Sequence, residues 1–197
     1  MTNPEMFRTR SNYFYAGSIY ISAGMISLLK LLETNFLAAI ATFTWAAVAC
    51  YTAHLIFIRP KIIFFQEGLI ITNPFNEVKV GWHDVQDIDN RFSLSVLVNG
   101  ERIYAWAAPA PSRYGSRSIH PSEIKGLALD NQGSIRAADN PRSLSGAAAI
   151  LARNRFNEYK AQPSVNRIEK QITLNTTGVI VFLGLLSFAL GWLVIQR

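Results

Sequence analysis

Apolar positions in this chain fall into two regimes: three long unbroken runs, and a middle region where apolar and polar residues alternate. The first run covers 13–32 and is interrupted only by Lys30, whose ammonium can reach a headgroup layer while its stem stays in apolar surroundings. The second, 36–58, carries no Asp, Glu, Lys or Arg, and only Glu33, Thr34 and Asn35 separate the two. The third, 176–196, is charge-free and opens on Asn175, Thr176 and Thr177, all good helix N-caps. About 20 apolar residues at 1.5 Å per residue reach roughly 30 Å, the thickness of a bilayer's hydrocarbon core. The pattern predicts three transmembrane helices, the first two paired as a hairpin. A cleavable signal peptide is the competing reading of the first run; its length and the span that follows at once weigh against it.

The stretch KIIFFQEGLIITN, from Lys61 to Asn73, follows directly on the second run and is equally rich in Ile and Phe. Its two apolar pieces are each of strand length, and Gln66-Glu67-Gly68 divides them with a turn. Pro60 breaks the preceding helix. The lipid-embedded part therefore ends near Arg59. From Glu77 to Trp82 the chain alternates, with Val78, Val80 and Trp82 on one face and Lys79 on the other. Val85 to Ile88 is a further short strand. Ser93 to Val98 alternates with Leu94, Val96 and Val98 inward, and Asn99-Gly100 is a strong hairpin signal leading into Glu101 to Ala107. Short strands at close spacing imply an antiparallel sandwich or open barrel. Residues 109–142 are rich in Pro, Ser, Gly and Asn without periodicity, and read as a long connection. A helix is expected from Ser143 to about Tyr159, with Leu144, Ala148, Leu151 and Tyr159 on one face and Arg155 interrupting it.

Composition sharpens this division. Half of the 197 residues are hydrophobic and 16% are charged, against about 25% charged in soluble domains; the shortfall belongs to the spans. Arg8, Arg10, Arg59, Lys61, Arg167 and Lys170 flank them on one side, and Lys30 and Arg197 on the other. The positive-inside rule then places the N-terminus and the middle region in the cytoplasm of a multi-pass plasma-membrane protein. The single cysteine, Cys50, can form neither an internal disulfide nor a cysteine-based zinc site. Small residues recur at four-residue spacing, at Ala38, Thr42, Ala46 and Cys50 and at Ser187 and Gly191, which permits close helix approach. Ordinary span composition gives the same pattern.

Several short motifs occur in order: the Glu67-Gly68-Leu69 turn, Gly81-Trp82-His83-Asp84-Val85, and the Asn99-Gly100 hairpin before Tyr104. Ala108-Pro-Ala-Pro-Ser-Arg113 and His120-Pro-Ser-Glu-Ile-Lys-Gly126 follow. With the spans, they make residues 8–161 resemble the bacterial pleckstrin-homology (PH-like) domain proteins, in particular the membrane-anchored type of actinobacteria. The resemblance implies a seven-stranded, partly open barrel closed by a C-terminal helix, and no established activity. Eukaryotic relatives that bind phosphoinositides use basic residues around the first hairpin loop; here that loop, Gln66-Glu67-Gly68, is short and acidic. Specific phosphoinositide binding is not expected.

Candidate chemistry is sparse. His54, His83 and His120 are isolated, and no pair has helical ligand spacing. His83-Asp84 has the form of an oriented base, and equally of a surface histidine beside a turn-capping carboxylate. Asp84, Asp87 and Asp89 could gather a hard cation or form a solvated acidic face. No phosphate-binding glycine loop or nucleophile elbow is present. Residues 111–170 hold ten basic and five acidic groups. Arg113, Tyr114, Arg117 and His120 in that region form the candidate interaction surface, facing lipid or a protein. The basic groups are scattered, which does not fit nucleic-acid binding.

The expected architecture is a membrane-anchored α+β protein. It comprises a cytoplasmic N-terminus (1–12), a transmembrane hairpin (13–32 and 36–58) and a PH-like antiparallel β-barrel closed by a C-terminal helix (59–161). A linker (162–174) and a third transmembrane helix (176–196) complete it. The expected role is non-catalytic, without metal or cofactor: the domain binds a protein partner at the inner membrane face. Two alternatives stand beside it. One is an accessory subunit of a membrane enzyme or transporter, assembled through its helices; the other is an enzyme using His83.

Overall fold

The computed structural model describes residues 3–32, 36–111, 140–163 and 167–195. The chain divides into two compact units, one drawn from 1–9, 61–73 and 77–173, the other from 10–60, 74–76 and 174–197.

The second unit is helical. α1 (Ser11–Leu31) and α4 (Thr176–Ile195) each lie beside α2 (Phe36–Ala53). Among the described residues three helices are long and apolar enough to cross a membrane: Ser11–Leu31, Phe36–Ile58 and Thr176–Val194. Their contacts use small side chains: Ala16, Ala23 and Ser27 of α1, Ala39 and Thr44 of α2 and Ala189 of α4 are buried. The expected stripe is displaced from this contact. Ala38, Thr42, Ala46 and Cys50 are only half-buried, and Ser187 and Gly191 are exposed. Hydroxyls in the helices bond back one turn, Thr42 to Ala38, Thr44 to Ile40 and Thr52 to Val48. That satisfies each polar group within its own helix.

After α2 the helix widens into a π turn, His54–Ile58, closed by the Arg59 N–H donating to the His54 carbonyl at 2.9 Å. Pro60 accounts for it. Proline has no N–H to offer the preceding turn, and its ring crowds the carbonyl four residues back. His54 stacks on Tyr51 with ring centroids 6.3 Å apart. At the far end Asn175 caps α4: its side-chain oxygen accepts from Gly178 N–H at 3.2 Å, as the N-cap reading expects. Its own N–H donates to the Phe75 carbonyl at 2.8 Å.

The first unit is β-rich. β2 (Lys61–Phe65) and β3 (Gly68–Thr72) form a hairpin that pairs Phe65 with Gly68, so the turn is Gln66–Glu67 alone. β4 (Asn76–Gly81) pairs with β3 and ends in a single 3₁₀ turn, Trp82–Asp84. β5 (Val85–Asp89), β6 (Ser93–Val98) and β7 (Glu101–Pro109) form a three-stranded antiparallel sheet. Asn99 and Gly100 have φ of 52° and 80°, the left-handed pair required by the tight hairpin. α3 (Leu144–Ala161) starts at Ser143, whose hydroxyl accepts from Gly146 N–H at 2.9 Å.

Two strands appear where none is expected. β1 (Glu5–Phe7), within the segment read as a cytoplasmic tail, pairs with β2. β8 (Gln171–Leu174), within the linker, lies beside β4. The strands form a five-stranded sheet, β1-β2-β3-β4-β8, and the separate β5-β6-β7 sheet. The antiparallel barrel expected over 59–161 is thus replaced, among the described residues, by two separate sheets. The 3₁₀ turn at Trp82–Asp84 interrupts the ladder between β4 and β5, and the chain changes sheets there. The two sheets share one core, with Ile62, Phe64, Leu69, Ile71, Val80 and Trp82 facing Leu94, Val96 and Val98. Ala148, Ala149 and Ala152 of α3 complete that core, with Leu151, Phe156 and Tyr159 packed against it. Arg155, the interruption on the helix face, reaches Glu5 of β1 at 3.3 Å and Glu158 at 3.2 Å.

Candidate functional site

Arg113, Tyr114, Arg117 and His120, the surface selected from the sequence, lie outside the described residues. The other sequence candidates are all placed.

His83 and Asp84 occupy the 3₁₀ turn, which forms as β4 runs out at Gly81 and the Trp82 ring turns inward. Trp82 Nε1 donates to the Phe65 carbonyl at 3.0 Å, and its ring lies 6.0 Å from that of Phe156. This anchors the turn to β2 and α3. His83 Nε2 stands 3.4 Å from Asp84 Oδ2, both side chains about a quarter exposed. The imidazole folds back over Gly81: a Cβ added at Gly81 would lie 2.6 Å from it. A carboxylate beside an imidazole orients the ring. The geometry is that of a local surface pair between neighbouring residues.

Asp87 and Asp89 do not join Asp84. They converge on Arg102, which reaches across β6 to Asp87 at 3.0 Å and Asp89 at 3.4 Å, with Ser95 Oγ at 3.3 Å from the same guanidinium. Asp89 also accepts from the N–H groups of Asn90 and Arg91 and so fixes the turn into β6. The acidic residues thus form a clamp on a guanidinium. Among the described residues no group of three or more His, Cys, Asp or Glu side chains is placed to hold a metal ion.

Sequence reasoning passed over the outer face of β7. Ile103, Ala105 and Ala107 point into the core, so Tyr104 and Trp106 point out, 49% and 55% exposed. Two adjacent exposed aromatics offer a large rigid contact area with a polar tip on each ring. The signal was present: aromatic residues two apart in a strand whose intervening positions are apolar. Asn73 holds this strand in place, its Nδ2 donating to the Tyr104 carbonyl at 3.0 Å and its Oδ1 accepting from Trp106 N–H at 2.9 Å. Phe92, 72% exposed, carries the Arg91 guanidinium 5.6 Å above its ring.

Within the helical unit, Ser18, Ser22, Thr42, Trp45 and Ala46, with Leu193 of α4, border an apolar groove of about 550 Å³. Ser18 and Thr42 bond back to Phe14 and Ala38, so their hydroxyls are already satisfied. The groove is suited to an apolar occupant.

No family model matches this sequence, no curated protein matches it, and no solved structure matches its fold.

Proposed function

We propose that this chain is a non-catalytic integral membrane protein that presents a PH-like domain in the cytoplasm for protein binding at the inner membrane face. The observation that carries the reading is the exposed Tyr104–Trp106 pair on a β-rich unit whose chain continues into apolar helices at both ends. Large apolar side chains, among them Ile21, Met25 and Leu28 of α1 and Ile180 and Leu183 of α4, are exposed on those helices, as lipid contact requires. Among the described residues of 59–161, six strands, β2 to β7, precede α3; the closing helix is what the PH-like resemblance implies, while the strand number, the split into two sheets and the outlying β1 and β8 depart from it. A protein partner fits better than a phosphoinositide. The first hairpin turn has only two residues, and its acidic member, Glu67, is buried.

The test is in-cell photo-crosslinking from Trp106 and, in the neighbouring connection, from Arg113. A discrete protein adduct from either position, weakened by Tyr104→Ala, is the expected result. Adducts to lipid alone would remove the reading. A reporter fused at Asn99 is expected on the cytoplasmic side.

The apolar groove between α1 and α2 favours a second reading, an accessory subunit assembled through its helices. Ala46→Leu would fill that groove and shrink the native complex while leaving the β-rich unit folded. An unchanged complex size counts against this reading.

A further inference from the structure

Before α4 the chain returns once to the β-rich unit, from Ile168 to Thr173, and ends that passage as β8 on the outer edge of β4. Its attachments are polar. The Ile168 carbonyl lies over Gly81, where an added Cβ would stand 2.4 Å from the carbonyl oxygen. Lys170 pairs with Glu101 at the start of β7. Thr173 Oγ1 donates to the Glu77 carbonyl at 3.4 Å. No side chain of this segment belongs to the core: Ile172 is 51% exposed, and every residue of β8 is exposed.

β1, at the opposite edge of the same sheet, is also short but is held differently. Phe7 packs against the core, and Thr9 is buried with its hydroxyl donating to the Ala107 carbonyl at 2.9 Å. Glu5 pairs with Arg155 of α3. The difference decides which edge yields first. Ordering a residue costs conformational entropy comparable to what one net hydrogen bond returns, so a segment without apolar burial has little left to hold it. A single ion pair with an exposed carboxylate adds little, and salt weakens it. Segments of this kind open locally while the rest of a structure stays folded.

We propose that residues 168–173 form a releasable strap: they lift off Gly81 and β4 while both sheets and α3 stay folded. The outer edge of β4 is then covered in one state and bare in the other. Gly81 is what lets the strap seat, because any side chain there would press on the Ile168 carbonyl. Val78 and Val80 of β4 belong to the core, and β3 pairs along the other side of the strand, so β4 keeps its place when the strap leaves.

Hydrogen–deuterium exchange of the full chain in detergent micelles, read by mass spectrometry, is the test, with β1 as the control for ordinary edge fraying. Amides of 168–173 are expected to exchange at least about ten-fold faster than those of Glu5–Phe7, with β3 slower than either. Lys170→Ala should speed the strap about two- to five-fold, the worth of an exposed ion pair, and leave β1 and β3 unchanged. Added salt should do the same to the parent chain and much less to Lys170→Ala. Gly81→Ala should speed the strap more than it speeds β3, since the obstacle is the Ile168 carbonyl. A strap that exchanges no faster than β1 overturns the proposal. So does one that Lys170→Ala leaves unchanged, or accelerates only together with β3.

Discussion

Asn73 and Trp106 are joined as though they were neighbours in a β-ladder: the Asn73 side-chain oxygen accepts the Trp106 backbone N–H at 2.9 Å while its amide nitrogen donates to the Tyr104 carbonyl at 3.0 Å. One side chain thus provides the pairing that a continuous barrel would supply with a strand, and it does so beneath the exposed aromatic pair.

Asn73→Ala removes both bonds. A net hydrogen bond contributes about 1 kcal/mol, so the expected loss is about 1–2 kcal/mol, reduced by the exposure of the site. Chemical denaturation of the full chain in detergent, followed by Trp fluorescence, measures it. Asn73→Asp keeps the acceptor and should cost less than alanine. Crosslinking from Trp106 should fall in Asn73→Ala if the aromatic surface depends on this anchor.

Gly68 faces Gly81 across β3 and β4, and a Cβ at Gly68 would come 2.1 Å from the Val80 carbonyl oxygen. Because the obstacle is backbone, relief requires the strands to part. Gly68→Ala is expected to destabilise the β-rich unit by about 1–3 kcal/mol, the usual range for overpacking. Gly184→Ala, with nothing within 4 Å, is the control and should leave the unit unaffected. Equal thermal midpoints for the two variants would contradict the close approach.

Asn175 caps α4 and also holds the Pro74–Phe75 segment, donating to both carbonyls. Asn175→Ala should cost about 1 kcal/mol in helix capping alone. Faster amide exchange at Gly178 and Val179 is the direct readout. Gly178→Ala should act in the same direction, since its Cβ would lie 2.0 Å from the Asn175 amide.

Arg102→Ala leaves Asp87 and Asp89 facing each other without their common cation. The pair is partly solvent-exposed, so the expected loss is at most about 1 kcal/mol and shrinks as salt is added. Arg102→Lys retains the charge but cannot reach both carboxylates with a rigid fork, and should fall between the two. Denaturation midpoints at low and high salt separate these outcomes.

Long apolar runs and clean alternation were legible from sequence because each residue's environment repeats within the element. The helices at 13–32, 36–58 and 176–196, the inward set Leu94, Val96 and Val98, and the Asn99-Gly100 turn all follow from local chemistry. β1 and β8 were not legible. Three or four residues carry no period, and those segments are strands only because β2 and β4 offer them an edge. The division of the barrel strands into two sheets was not legible for a related reason: the hydrophobic pattern says which face is buried, but not that the chain passes from one sheet to the other at the Trp82–Asp84 turn. Asp87 and Asp89 read from sequence as a solvated acidic face or a loose cation site; their pairing was not legible because the partner, Arg102, lies two strands away. The Tyr104–Trp106 surface is readable from period two, although the basic residues at 113 and 117 are the stronger compositional signal.

The placement of β1 ahead of the first helix bears on how the β-rich unit is prepared. A fragment beginning at Lys61 would omit the outer strand, the Glu5 partner of Arg155 and the Thr9 hydroxyl that donates to the Ala107 carbonyl at 2.9 Å. Such a truncation would bare the margin of β2 and invite aggregation. Grafting residues 4–9 onto the fragment through a flexible tether is the rational expression design.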